Sequence, residues 1–406
     1  MSFLQKIINS KNIAVLLLSI GLLAGNTIYS PVYCAKAHTK KMSATGYIEA
    51  AKQSIKDKQY ENAIEFCNHV LKKNPNSVEA YNQRGNAKYN LGKYKEAVED
   101  YSKALELNPN RQNLYYNRAL AKSHLKKYDE VISDYTKEIE INNTNKNAYL
   151  NRGTTEILLQ KYDEAIYDLS KMIELDSKSE LAYYNRGIAK RNTGDYKGAI
   201  EDYTKVIELN PDNIDAYNNR GVAQYYLNNY SKAIDDYTKV INSGKDLAKA
   251  YYNRGMANFG LKKYEQSVED FTKAIEISSD NESAYFNRGL AQEILGNDSC
   301  AIDDYTKAIE LNPDNDEYYY HRAYLYGKLN LNIKQALKDI ENSIKLDNND
   351  WEKYYTRAVI HNKLQHHIQA VDDLNLYLKN NPDNTEAIGL RSYIIKKMNN
   401  ELKDKK

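Results

Sequence analysis

Two ionisable residue types recur along this 406-residue chain at one spacing. Arginine stands at Arg84, Arg118, Arg152, Arg186, Arg220, Arg254, Arg288, Arg322 and Arg357. Aspartate stands at Asp100, Asp134, Asp168, Asp202, Asp236, Asp270, Asp304, Asp339 and Asp373. Steps are 34 residues, with a single 35-residue step in each series. Guanidinium and carboxylate can share two parallel hydrogen bonds, and a half-buried member of either series must be matched. Two chemistries fit: an internal ladder that fixes stacking, or a stripe that binds anions. An earlier copy of the period has Ala50 and Phe66 in the two positions, so the types change together, which favours the ladder. Arg391 occupies the arginine position after the last copy, and no matching aspartate follows it. That points to each aspartate pairing with the arginine of the next copy, with Arg84 left over.

Other reactive groups offer little. There is no glycine-rich phosphate loop and no nucleophile elbow. His361, His366 and His367 lie close in sequence, but the last two fall in an expected turn, a poor place for a metal site. Asp235-Asp236 and Asp303-Asp304 recur with the period and belong to the scaffold. Cys34, Cys67 and Cys300 make no disulfide framework, and the last two read as small buried fillers. The expectation is a protein without catalysis, cofactor or metal.

What positions the charged series is a repeated hairpin. Asn-Arg-Gly recurs at Asn151, Asn185, Asn219, Asn253 and Asn287. A strict period of this length means one supersecondary unit copied and stacked. Units begin at Ala44, Val78, Gln112, Lys146, Glu180, Ile214, Ala248, Glu282, Asp316 and Trp351, and run to Asn384. The unit from Asp316 has 35 residues, with its insertion near residues 330–334. In the clearest copy, residues 180–213, the spacing predicts a helix over 181–192, a turn at Thr193-Gly194-Asp195 and a second helix over 197–209. Ala199, Ile200, Tyr203, Val206, Ile207 and Leu209 form its apolar face, and Asn210-Pro211 stops it. Eight of ten units end on Ser, Asn or Asp, as an N-cap for the next helix requires. The unit Gln112–Asn145 departs most, with Val131, Glu138 and Asn143 where Ala, a small residue and Pro are usual; it reads as a hinge or as tolerated drift.

These residues resemble the tetratricopeptide repeat family. Its pattern asks for a small residue at position 8, met here by Gly85, Gly153, Gly187, Gly221, Gly255 and Gly289 or by alanine. It asks for Ala at position 20, met in eight units, and Pro at position 32, where five of the six prolines fall. Arginine at position 7, usually leucine, is the departure. The resemblance implies an all-α fold, a right-handed α-α superhelical solenoid of helix-turn-helix repeats. A C-terminal capping helix over 385–400 would cover the last unit with Ile388, Leu390, Arg391, Ile394 and Ile395, and residues 401–406 would form a charged tail.

The resemblance also places the first helices on a concave face. Its candidate groove residues are Tyr89, Tyr116, Leu120, Leu150, Tyr184, Ile188, Val222, Tyr225, Tyr252, Met256, Phe259, Phe286, Leu290, Tyr320, Tyr324 and Tyr355. Such a stripe suits an extended or helical peptide with apolar anchors, and the bland alternative is packing between neighbouring first helices. The carboxylate clamp of the family's chaperone-binding members is missing: no unit has Lys at position 5 or Arg at position 6, and Asn86 and Lys249 stand alone in their positions.

The net charge is +2, which gives no field to draw in nucleic acid. Lys6 and Lys11 precede an apolar run over 13–25, and Ala35-Lys36-Ala37 offers a small-x-small cleavage site. Residues 1–37 therefore read as a signal peptide, or as an uncleaved anchor with membrane contact through residues 13–33. The expectation is an exported protein of the periplasm, envelope or exterior that binds a protein or peptide of unknown identity. Two alternatives are an architectural component of a cell-envelope assembly and an accessory subunit of an envelope enzyme.

Overall fold

The computed structural model describes residues 42–403. The expected signal peptide or anchor, Cys34 and residues 404–406 lie outside the described residues. The chain divides into two compact units, one ending at Leu209 and one beginning at Asn210. Among the described residues every regular element is an α-helix.

The first unit holds α1 (Ala44–Lys56), α2 (Tyr60–Lys73), α3 (Val78–Asn90), α4 (Tyr94–Leu107), α5 (Leu114–His124), α6 (Tyr128–Ile141), α7 (Lys146–Leu158), α8 (Tyr162–Leu175), α9 (Glu180–Asn192) and α10 (Tyr196–Leu209). The second holds α11 (Ile214–Tyr226), α12 (Tyr230–Asn242), α13 (Leu247–Gly260), α14 (Tyr264–Ile277), α15 (Glu282–Ile294), α16 (Asp298–Leu311), α17 (Asp316–Lys328), α18 (Ile333–Leu346), α19 (Trp351–Lys363), α20 (His367–Asn380) and α21 (Thr385–Lys403). Within each unit consecutive helices pair as hairpins, and each second helix packs on the first helix of the next hairpin.

Local chemistry sets the boundaries. The Ser77 and Ser179 hydroxyls and the Asn145 amide oxygen accept from the backbone N–H three residues on, at 3.2–3.3 Å, which satisfies a helix-start donor. Each first helix then ends on a left-handed residue at position 15 of its hairpin: Lys58, Gly92, Lys126, Gln160 and Gly194 in the first unit, Asn228, Lys262, Gly296, Asn330 and Gln365 in the second. Reversal at that residue returns backbone N–H groups to the last helical carbonyls, as where Lys93 N–H donates to Lys88 O at 2.9 Å. Only three of these ten positions hold glycine, the residue that adopts a positive φ without strain. In the insertion hairpin both Asn330 and Asn332 are left-handed, and the extra residue is absorbed in that turn.

The core lies between the two helices of each hairpin and between neighbouring hairpins within each unit. Tyr101, Tyr135, Leu169 and Tyr203 are buried in the first unit, and Tyr237, Phe271 and Tyr305 in the second, all at position 24. These side chains, aromatic except Leu169, press on position 8 of the preceding helix. A Cβ on Gly187 would stand 2.8 Å from Tyr203 Cε1, and one on Gly289 would stand 2.6 Å from Tyr305 Cε1. Alanine replaces that glycine at Ala51, Ala323 and Ala358, where the facing residue is Cys67, Ile340 or Leu374 rather than an aromatic. Ala119 with Tyr135 is the exception.

Four expectations need correction. Cys300, expected as a small buried filler, is exposed, whereas Cys67 is buried. Leu209, expected on the apolar face of its helix, is 36% exposed. The final helix runs to Lys403 rather than 400, and it covers the last hairpin with Ala387, Leu390, Ile394 and Met398 while Ile388 and Ile395 face solvent. In the hairpin from Gln112, Glu138 is not mere drift but makes a helix-start contact. Asn113 is left-handed and caps nothing with its side chain. The buried Glu138 carboxylate accepts from the N–H groups of Asn113 (2.9 Å) and Tyr116 (3.4 Å) instead, and from Asn145 Nδ2 (3.2 Å). The preceding unit ends on Arg111, one of the two that lack a capping residue, and a carboxylate from the next helix supplies the missing acceptor.

Candidate functional site

The arginine and aspartate series meet inside single hairpins. Arg84 Nε and Nη2 donate to the two Asp100 oxygens at 2.9 and 2.6 Å. The same bidentate pair forms from Arg118 to Asp134, Arg152 to Asp168 and Arg186 to Asp202 in the first unit. In the second unit it joins Arg220 to Asp236, Arg254 to Asp270, Arg288 to Asp304, Arg322 to Asp339 and Arg357 to Asp373. This overturns the expected pairing of each aspartate with the next copy's arginine. Arg84 is matched; Arg391 pairs with no aspartate among the described residues, and its Nη1 donates to Asn375 Oδ1 at 3.0 Å.

Stacking is locked by the third guanidinium nitrogen. Nη1 reaches back to position 25 of the preceding hairpin: Arg84 to Asn68, Arg118 to Ser102, Arg152 to Thr136 and Arg186 to Ser170 at 2.7–3.1 Å. Arg254, Arg288 and Arg322 do the same to Thr238, Thr272 and Thr306 in the second unit. Eight of the nine guanidinium groups also lie 5.3–6.0 Å from the centroid of the tyrosine three residues earlier. Each of the nine is neutralised by its own aspartate, and all but Arg322 are held on a ring. An anion-binding stripe is therefore not what these residues form. Burial raises the Asp304 carboxyl above the usual carboxylate range against the opposing pull of Arg288, so the pair is a desolvated one.

Position 11 tunes the pair. Lys88, Lys122 and Lys190 add a second cation to Asp100, Asp134 and Asp202 at 2.8–3.0 Å. In the hairpin between them the same position is Glu156, buried, 4.0 Å from Arg152 Nε, with Oε2 left without a hydrogen-bond partner. Burial and then the charge of Asp168 push its carboxyl up to about 8.

The candidate groove residues occupy the first helices and are half-buried, except Tyr324, which is 42% exposed. The aromatic ones at position 5 rest their inner sides on the hairpin core. Tyr116 meets Tyr135 and Tyr184 meets Tyr203 at 5.6 and 6.0 Å between centroids in the first unit. In the second unit Tyr252 meets Phe271, Phe286 meets Tyr305, and Tyr355 meets Tyr377, at 5.2–5.7 Å. Tyr89, Leu120, Leu150 and Ile188 lie on α3, α5, α7 and α9; Val222, Tyr225, Met256, Phe259, Leu290 and Tyr320 lie on α11, α13, α15 and α17. These side chains serve the core with one side and leave the other on the first-helix surface.

Sequence reasoning missed what joins neighbouring first helices. Asparagine at position 6 does so. Asn117 Nδ2 donates to Asn82 and Asn86, Asn151 to the Tyr116 hydroxyl at 3.1 Å, and Asn185 to Thr154 Oγ1 at 3.0 Å. In the second unit Asn287 donates to the Tyr252 hydroxyl at 3.2 Å. The recurring Asn-Arg-Gly was the available signal: Asn joins first helices, Arg joins hairpins, Gly admits the ring. Elsewhere, among the described residues, no three His, Cys, Asp or Glu side chains gather to hold a metal, and no helix is long and apolar enough to cross a membrane. His361 and His366 approach at 3.2 Å between Nδ1 atoms, while His367 starts α20 and is buried rather than lying in a turn.

Comparison with known proteins bears on the family. The profile described as "Tetratricopeptide repeat" matches residues 78–111, 214–242 and 248–281, and the one described as "TPR repeat" matches 189–227 and 294–330. No curated protein sequence matches. Among solved structures, MamA from Desulfovibrio magneticus RS-1 is 24% identical, covers 41% of this chain and 95% of its own, and has a TM-score of 0.40. A tetratricopeptide repeat protein from Parabacteroides merdae is 23% identical over 61% of this chain and 98% of its own, with a TM-score of 0.43. YrrB, described as a TPR protein with an unusual peptide-binding site, is 19% identical over 46% of this chain and 95% of its own, with a TM-score of 0.40. By its period, its hairpin packing and these profile matches, the chain belongs to the tetratricopeptide repeat family.

Proposed function

We propose that this protein is a non-catalytic interaction scaffold whose first-helix surfaces bind an extended or helical segment of another protein. One observation supports the reading above others. Aromatic side chains such as Phe286 and Tyr355 are anchored from behind by the buried core and still present a partly exposed side, and Tyr324 on α17 is exposed. A rigid aromatic that is already held loses little entropy on contact, which favours recognition. The apolar run over 13–25 behind Lys6 and Lys11 supports export, so the partner would be an envelope or extracellular protein.

Photo-crosslinking in the native organism tests this. A photoreactive residue in place of Tyr324 on α17 should give adducts with a discrete partner. The same residue in place of Ile368, 64% exposed on α20, should give none. Adducts from the Ile368 site alone would favour an architectural role through the second helices and overturn groove binding.

A further inference from the structure

The first-helix surface of the second unit carries one carboxylate unlike the rest. The deep aspartates of that unit, such as Asp270, Asp304 and Asp339, each hold an arginine. Glu293 on α15 has a side chain only 19% exposed and no Lys or Arg at ion-pair distance among the described residues. Its Oε2 accepts from the buried Tyr305 hydroxyl at 2.6 Å and meets His321 Nδ1 at 3.3 Å, whereas nothing described bonds to Oε1. Lys328 feels its charge but is hydrogen-bonded to Asp298 at 2.9 Å. Glu293 stands where the two preceding hairpins have Tyr225 and Phe259, and His321 stands where they have asparagine. Two departures in adjacent hairpins thus meet at one place. Phe286 and Tyr320 flank the imidazole at 5.5 and 5.3 Å, and exposed Tyr324 lies one turn along the same helix.

A carboxylate largely withdrawn from water, without a permanent cation and with partners on Oε2 alone, has had its hydration only partly replaced. An ammonium or guanidinium group would replace it, and the aromatic faces alongside would add attraction for a cation. We propose that this surface takes a peptide segment bearing a lysine or arginine, whose cationic head is received by Glu293 Oε1 while apolar neighbours of that residue rest on Phe286 and Tyr324. The inference depends on the groove reading above and adds the charge of the ligand to it.

The test is an enrichment measurement on the immobilised full chain. Four synthetic dodecamer mixtures carry Lys, Arg, norleucine or Glu at the centre, with the other positions randomised over Ala, Leu, Tyr, Asn and Gly. The Lys and Arg mixtures should be retained about tenfold over norleucine. Glu293→Gln, isosteric and still able to accept from Tyr305, should erase that preference while keeping norleucine retention and the melting temperature. Equal retention of Lys and norleucine, preferred retention of Glu, or a preference that survives Glu293→Gln would each overturn the inference and leave groove binding standing. Retention of no mixture would overturn both.

Discussion

Replacing Glu156 with glutamine should stabilise the first unit, and by an amount that depends on pH. Glu156 occupies a position where the flanking hairpins carry Lys122 and Lys190, each within 3.0 Å of its aspartate. Here a second carboxylate shares one arginine with Asp168, 6% exposed and with an unpartnered oxygen. Burial first and Asp168 second raise its pKa from 4.5 to about 8, and Arg152 only partly opposes them. The folded state therefore keeps a proton that the unfolded chain releases. Stability from that proton is fully present below pH 4.5, falls as pH rises, and is gone above about 8. One proton costs about 1.4 kcal/mol per pH unit, so the loss built up between pH 4.5 and 7 is about 3 kcal/mol. Glu156→Gln keeps the shape and removes the titration. Its advantage should be near zero at pH 4, should grow to about 3 kcal/mol at pH 7, and should level off beyond 8. Urea unfolding across pH 4–9 reads the global effect, and hydrogen exchange in residues 146–175 reads the local one. Glu156→Lys, which restores the neighbours' ion pair, should stabilise at neutral pH as well. Parallel pH profiles for wild type and Glu156→Gln would show that the site holds no extra proton, and the electrostatic argument would fail.

Three further perturbations probe the framework. Glu138→Ala removes the acceptor for two helix-start N–H groups of α5 and should cost about 1–2 kcal/mol, with faster exchange at Asn113 and Tyr116; an unchanged melting curve would deny its capping role. Asp304→Ala leaves Arg288 half-buried without its anion and should cost about 3–5 kcal/mol, while Thr272→Ala should cost about 1 kcal/mol. A double-mutant cycle should find Asp304 coupled to Arg288 and not to Arg322; the reverse would restore the pairing between copies. Lys126→Gly and Gln160→Gly relieve left-handed backbone at the hairpin turns and should each stabilise by roughly 0.5–1 kcal/mol in thermal melts, where a loss would indicate that the lysine or glutamine side chain matters more than the backbone.

Much of the architecture was legible because a repeat displays its own rules. The period gave the hairpins, the terminal Ser, Asn and Asp residues gave the helix starts, and the two units without them marked the places where Asn113 and Asp246 turn left-handed before a helix. Covariation along the chain showed that Arg and Asp belong together. It could not show which copies pair, because a strict period makes the pairing within a copy and the pairing between copies look alike in sequence. Only tertiary structure decided that, through helix separation and side-chain reach: the aspartate lies one helix away in the same hairpin, and Nη1 spans to the preceding one. The same holds for Glu138, Glu156 and Glu293. Each is an acidic residue breaking the pattern, and the three have different surroundings: a helix start, a second buried carboxylate, and an aromatic surface with a histidine. Residue type and period set the fold because burial and capping act locally and repeat. What a single charge does is set by the groups and the water around it, which the folded chain brings together from distant positions.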